Sequence, residues 1–264
     1  MAPNITEILF SLGLDDMIVG VTDFCNYPYN FSAWVEAGNM SSIGSYFNPT
    51  VEPVIALHPD LIVADLGSQD LTVQLRDLGY KVVYLNPSNL TGVLANIVKI
   101  GKATNHESEA QTLLNQLQQR IDVVVNGVKN AATAPKVYNE IWSDPYTSVG
   151  KGTFIDGLIK LAGGQNIFEN STDSYPTYGS EAVIALNPDI IVFPSSMGET
   201  NFWGDFPTVA ARPGWSSITA VKNNAFYTIN GDMINQPAPR QVDALEALAK
   251  IIHPEIFGNY TNQP

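Results

Sequence analysis

Val51-Glu-Pro-Val-Ile-Ala-Leu-His-Pro-Asp-Leu-Ile-Val63 returns, at a constant offset of 129 residues, as Ser180-Glu-Ala-Val-Ile-Ala-Leu-Asn-Pro-Asp-Ile-Ile-Val192. Glu52 matches Glu181, Pro59 matches Pro188 and Asp60 matches Asp189. In each copy a glutamate opens a short apolar helix, Pro-Asp ends it, and a β-branched run follows with the composition of a buried strand. A long period that occurs twice predicts two similar α/β lobes, not a stack of many small repeats.

Around these copies the pattern alternates strand and helix. Asn4-Ile-Thr-Glu7 has the form of a capping box before the apolar face Ile5, Ile8, Leu9 and Leu12, with Gly13 as the stop. A strand is expected at 17–22, then the first repeat copy with its strand at 61–64, a helix at 71–78, a strand at 81–85 and a helix at 90–100. The longest helical pattern runs from His106 to Val128 with the stripe Leu113, Leu114, Leu117, Ile121, Val124 and Val125. After it come strands at 136–142, 190–193 and 225–229 and helices at 154–162, 217–221 and 240–252. Such alternation predicts parallel sheets covered by helices. The expected division is an N-terminal α/β lobe at 1–104, a bridging helix at 105–130 and a C-terminal α/β lobe at 131–264.

Composition narrows the function. The chain is 45% hydrophobic and 15% charged, enough for packed cores. Its formal charge of −13 disfavours nucleic acid and anionic membranes as partners. Cys25 is the single cysteine, so no intramolecular disulfide can form. Six Asn-x-Ser/Thr sequons, at Asn4, Asn30, Asn39, Asn89, Asn170 and Asn259, are compatible with an extracytoplasmic address. The opening Met-Ala-Pro-Asn predicts a chain trimmed of its leader.

Catalytic signatures are missing. Gly150-Lys-Gly-Thr153 lacks the order of a phosphate loop and reads as a strand–helix turn. No Gly-x-Gly-x-x-Gly or Gly-x-Ser-x-Gly is present, and His58, His106 and His253 have no metal-pair spacing and read as solvated turn residues. No catalytic residue, metal ligand or intrinsic cofactor is therefore expected.

Aromatic residues gather in turn-rich stretches instead. Residues 23–48 hold Phe24, Tyr27, Tyr29, Phe31, Trp34, Tyr46 and Phe47, and later loops hold Trp142, Tyr146, Tyr175, Tyr178, Phe202 and Trp203. Loops at the carboxyl ends of parallel strands are where open α/β sheets bind ligands. Aromatic walls suit large planar or apolar ligands. Packing in the core is the other role open to each of them.

The duplicated glutamate motif, the long bridge, Pro3-Asn-Ile-Thr-Glu7, Asp23-Phe-Cys-Asn-Tyr-Pro28, Gly163-Gly-Gln-Asn-Ile-Phe168 and Arg212-Pro-Gly-Trp215 occur in one order. Over nearly its whole length the chain resembles the substrate-binding proteins of ABC importers for iron chelates and vitamin B12, the class hinged by a single helix. The resemblance implies two Rossmann-like lobes and a ligand held between them, with modest closure about a stiff hinge. It also implies delivery to a permease dimer, onto whose arginines Glu52 and Glu181 would dock, and an extracytoplasmic, membrane-tethered or secreted monomer. A strand that precedes the first helix in the family has no counterpart here, so either the chain is trimmed at its start or the first sheet lacks an edge strand.

Tyr46 and Tyr175, each six residues before its repeat glutamate, fall where vitamin B12 binders place ligand aromatics. Phe24, Tyr27, Phe47, Gly67, Trp142, Tyr146, Trp203 and Met233 complete the candidate ligand set. Arg76, Arg120, Arg212 and Arg240 are the only arginines, too few for a strongly anionic catecholate. A corrinoid or a hydroxamate-type ferric chelate fits better. A two-lobed α/β metalloenzyme or a chelate sensor remains the alternative.

Overall fold

The computed structural model describes residues 1–195 and 206–261, which divide into two compact units. The first comprises Met1–Gln116 with Pro237–Pro239, the second Leu117–Gln236 with Arg240–Pro264. Trp203 lies outside the described residues.

The first unit opens with α1 (Pro3–Ser11), which starts on a proline after extended Ala2. Asn4 and Glu7 do not form the expected capping box: both lie inside the helix and are buried. Burial also removes Asn4 as an exposed glycan acceptor. A pair of two-residue strands follows, β1 (Gly20–Val21) parallel to β2 (Ser41–Ser42), with α2 (Phe31–Glu36) between them. Phe10, Tyr29, Phe31 and Trp34 pack on one another there, Tyr29 and Trp34 stacked at 4.9 Å. The first repeat copy forms α3 (Val51–Ile55) and β3 (Ile62–Asp65); α4 (Gln69–Asp77) then leads to β4 (Val82–Leu85), parallel to β3. Among the described residues β3 and β4 stand as a separate pair, so the strands of this unit do not join into one sheet. α5 (Leu90–Thr104) ends in left-handed Asn105.

The expected long helix is α6 (Glu107–Val128), and the boundary between the units falls within it. Close approach of α5 and α6 requires Gly101, where a Cβ would lie 2.4 Å from that of Ala110.

In the second unit the central strand is β5 (Lys136–Ser143), which turns back into β6 (Tyr146–Ser148). α7 (Phe154–Leu161) is capped by Thr153, the role expected of the Gly150–Thr153 turn. β7 (Gln165–Asn166) and β8 (Thr177–Tyr178) precede the second repeat copy, which forms α8 (Ser180–Leu186) and β9 (Ile190–Ser195). α9 (Phe206–Ala210), α10 (Thr219–Lys222), β10 (Phe226–Asn230), α11 (Gly231–Asn235), α12 (Gln241–Ile252) and α13 (Pro254–Phe257) complete it. The sheet runs β10-β9-β5-β6-β8, with β7 also on β5; β10, β9, β5 and β7 are mutually parallel. Tyr138, Val183, Ile191, Phe193, Trp215, Ile218 and Phe226 form its buried core. His253 is buried as well, and not solvated: its ring lies between the Glu255 carboxylate at 2.9 Å and the Gly163 carbonyl at 3.3 Å.

The two repeat copies share a detail that spacing did not expose. His58 and Asn187, each just before Pro-Asp, both adopt φ of 47°. Asparagine and histidine are among the residues that tolerate this left-handed conformation.

Candidate functional site

In the first unit the candidates meet at the end of β3. Buried Asp65 accepts the Gly67 N–H at 3.2 Å, an Asx turn that bends the chain out of the strand. The Tyr46 ring lies over that turn, with its hydroxyl 3.5 Å from Asp65 Oδ2. Glycine leaves room for it there: a Cβ on Gly67 would come 2.5 Å from Tyr46 Cζ and displace the ring. Phe47 packs edge-on against Tyr46 at 5.4 Å and against Phe24 at 4.9 Å, yet is 68% exposed. Phe24, Tyr46, Phe47 and Gly67 thus form one patch, and Tyr27 is exposed in the same loop as Phe24. A cavity of about 640 Å³ beside it reaches from Phe47 and Leu66 to Glu52 and Asp70.

Burial pushes the Asp65 carboxyl above its usual range, against the Gly67 N–H and the Asn4 side chain, which favour the ionised form. Burial and then the Asp65 charge raise the Tyr46 phenol. At neutral pH Tyr46 is therefore a neutral, partly greasy surface with its polar end held inward.

In the second unit the candidates divide by exposure. A register shift between Glu140 and Trp142 breaks the alternation of β5, so Glu140 is 0% exposed and Trp142 48%. The Trp142 indole N–H donates to the Asp144 carbonyl at 2.8 Å, which fixes the ring at the hairpin end. Tyr175 is 61% exposed in the loop before β8. Met233, half-buried, sits in the first turn of α11, capped by the Asn230 side chain. Tyr146 is packed inward: it lies against the core, 5.8 Å from Trp215.

Beneath Tyr146 is a cluster that sequence reading missed. Arg212 binds Glu140 through two bonds, Nη1 to Oε2 at 2.6 Å and Nη2 to Oε1 at 2.9 Å. The Tyr138 hydroxyl donates to Oε2 at 3.1 Å. The guanidinium carbon stands 4.5 Å from the Trp215 ring centre and 5.0 Å from that of Tyr146. Burial raises the Glu140 carboxyl while Arg212 opposes it; burial lowers the Arg212 guanidinium, and its bonds to Glu140 more than compensate. The signal was present in part: a lone glutamate inside an apolar strand pattern, and an arginine in Arg212-Pro-Gly-Trp215 that had only a motif role.

Glu52 and Glu181 are exposed in the first turns of α3 and α8, one in each unit. A carboxylate there gains about 0.3–1 kcal/mol from the helix dipole. Neither helix has a side-chain N-cap bond.

Two α/β units, each with an exposed glutamate on its repeat helix and an aromatic surface, define the class of two-domain solute-binding proteins. The chain belongs to the periplasmic binding protein family, whose model matches residues 1–233. An uncharacterized ABC transporter substrate-binding lipoprotein of Bacillus subtilis is 31% identical over 97% of this chain and 80% of its own length. A cobalamin-binding protein of Halobacterium salinarum is 30% identical over 95% of this chain and 68% of its own. A crystal structure titled a possible iron-binding, periplasmic solute-binding protein of Staphylococcus epidermidis superposes with a TM-score of 0.80, at 27% identity and 96% coverage of both chains. This chain is accordingly a substrate-binding protein of ABC import and not an enzyme, and the metalloenzyme reading is set aside. No described helix is long and apolar enough to cross a membrane.

Proposed function

We propose that the chain captures a corrinoid or a hydroxamate-type ferric chelate and delivers it to an ABC permease dimer through Glu52 and Glu181. It would act as a monomer outside the cytoplasm, tethered to the membrane or secreted in full length, with no intrinsic cofactor. The observation that carries the ligand class is exposed aromatic surface beside arginines that are mostly committed to partners. Phe47, Trp142 and Tyr175 are exposed, while Arg212 is paired with Glu140, Arg120 with Asp243 and Glu246, and Arg76 with the Val82 carbonyl. Arg240 has partners too. A polyanionic catecholate needs uncommitted cations, whereas a large neutral chelate needs apolar area. The cobalamin-binding relative and the possible iron-binding neighbour both fit this range.

The test is titration with cyanocobalamin, cobinamide, a ferric hydroxamate and a ferric catecholate, followed by tryptophan fluorescence, with Glu52→Arg/Glu181→Arg carried in parallel. Saturable binding of a corrinoid or hydroxamate is expected, unchanged in the double variant, whose uptake is lost. Binding confined to the catecholate would overturn the ligand class. Unimpaired uptake by the double variant would overturn the docking role.

A further inference from the structure

The Arg212 cluster does not end at Trp215. The Trp215 indole N–H donates to Ser180 Oγ at 2.6 Å, and Ser180 is the first residue of α8, next to Glu181. Four residues on, on the same helix face, Ile184 meets the same turn: a Cβ on Gly214 would lie 2.8 Å from Ile184 Cδ1, and Gly214 has φ of 80°. The left-handed backbone favours glycine there, and the bare Cα lets the end of the Ile184 side chain lie against the turn. The Arg212-Pro-Gly-Trp215 turn therefore grips α8 at two points, one turn apart, and leaves Glu181 on the exposed side.

Behind that grip stands a chain of buried groups. Trp215 and Glu140 are fully buried, and Arg212, 12% exposed, is clamped between the Tyr146 and Trp215 rings. The far end of α8 is held as well. Asn187 donates to Thr219 Oγ1 at 3.0 Å and accepts the Thr219 N–H at 2.8 Å. In the first unit, among the described residues, no side-chain hydrogen bond reaches α3, although α3 buries one residue, Val54, just as α8 buries Val183.

We infer that Arg212 is a positioning residue for docking: through Trp215 and Ser180 it fixes the first turn of α8, and with it the direction in which Glu181 meets the permease. This rests on the docking role of Glu181. Glu181 is then a pre-aimed contact, while Glu52 takes its direction when it docks. The column explains why an ion pair stands in an apolar core, where a hydrophobic replacement of equal volume is often no less stable.

The experiment uses the full chain, loaded with cyanocobalamin, and its ABC permease–ATPase complex in nanodiscs. Docking affinity is measured for Trp215→Phe, Arg212→Met with Glu140→Leu, Glu181→Ala, and Trp215→Phe with Glu181→Ala; ligand affinity is measured by equilibrium dialysis. Trp215→Phe keeps an aromatic six-membered ring in the core and removes the indole N–H that holds Ser180, together with the five-membered ring that carries it. It should weaken docking by about tenfold, a size usual for coupled neighbours. Ligand affinity should stay unchanged. Combined with Glu181→Ala it should add nothing, because both act on one contact. The Arg212→Met/Glu140→Leu pair removes both charges together, so a folding loss does not mask the result, and should weaken docking likewise. Parental docking by Trp215→Phe, or a loss that adds to that of Glu181→Ala, would overturn the inference and leave the docking reading intact. Parental docking by Glu181→Ala itself would overturn that reading.

Discussion

The two repeat copies differ far more in what surrounds them than in what they say. α3 and α8 share the glutamate, the apolar run, the left-handed residue and the Pro-Asp break. α8 nonetheless packs on the Arg212 turn and on α10, in a unit with a six-stranded sheet, while α3 sits in a unit whose strands are two separate pairs. Closely similar local sequence therefore fixes the shape of an element but not how firmly it is held. Firmness comes from residues distant in the chain, such as Arg212 and Glu140, 72 positions apart.

The largest way to break this contrast is to remove one buried charge. Arg212→Met alone strands the Glu140 carboxylate in the core and should cost about 3–5 kcal/mol in denaturant unfolding. Arg76→Met in the first unit, where the arginine is exposed and bonds only the Val82 carbonyl, should stay within about 0.5 kcal/mol. Equal losses at the two positions would mean that the second unit's column contributes no more than a surface contact.

Much of this was legible in the sequence, and the parts that were not share a cause. Helix and strand positions followed from apolar periodicity, because burial of one face is a local pattern. Lys136–Ser143 and Ile190–Ser195 stand within two residues of their expected bounds. Asn4-Ile-Thr-Glu7 misled because a cap and a buried polar helix residue have the same spelling, and only the packing of Asn4 near Asp65 separates them. Of the ligand candidates, Tyr46, Phe47, Phe24 and Gly67 come together, but their meeting depends on the Asp65 turn, which no spacing encodes. Tyr146 read as a surface aromatic because the partner that draws it inward, Arg212, is 66 residues away.

Two buried carboxylates sharpen the comparison through pH. Asp65 in the first unit is raised, chiefly by burial. A carboxyl of that kind contributes stability below its unfolded pKa of about 3.9 and loses it as pH climbs through the folded value. Asp156 in the second unit is lowered: burial opposes ionisation, but the Gly152 N–H, Lys160 and Asn166 prevail. Its stability is present above the unfolded pKa and lost as pH falls through the folded one. Asp65→Asn should thus gain stability at neutral pH and nothing in acid, whereas Asp156→Asn should lose stability at neutral pH by an amount that vanishes in acid. Denaturant midpoints of both variants from pH 3 to 7 check this, and slopes of one sign for both would contradict it.

The finest test lies at the shared turn. His58 and Asn187 have one backbone conformation and so carry a similar left-handed cost, of about 1–2 kcal/mol for an ordinary residue and less for these two types. Glycine relieves that cost at either site, at the expense of unfolded-state entropy. At His58, which is exposed and has no described side-chain hydrogen bond, His58→Gly should stabilise by a few tenths up to about 0.5 kcal/mol. Asn187→Gly gives up both bonds to Thr219 and should destabilise by about 1 kcal/mol. Opposite signs at positions of equal φ isolate the side-chain tie from the backbone. Stabilisation at both would place the firmness of α8 in Trp215 and Ser180 alone.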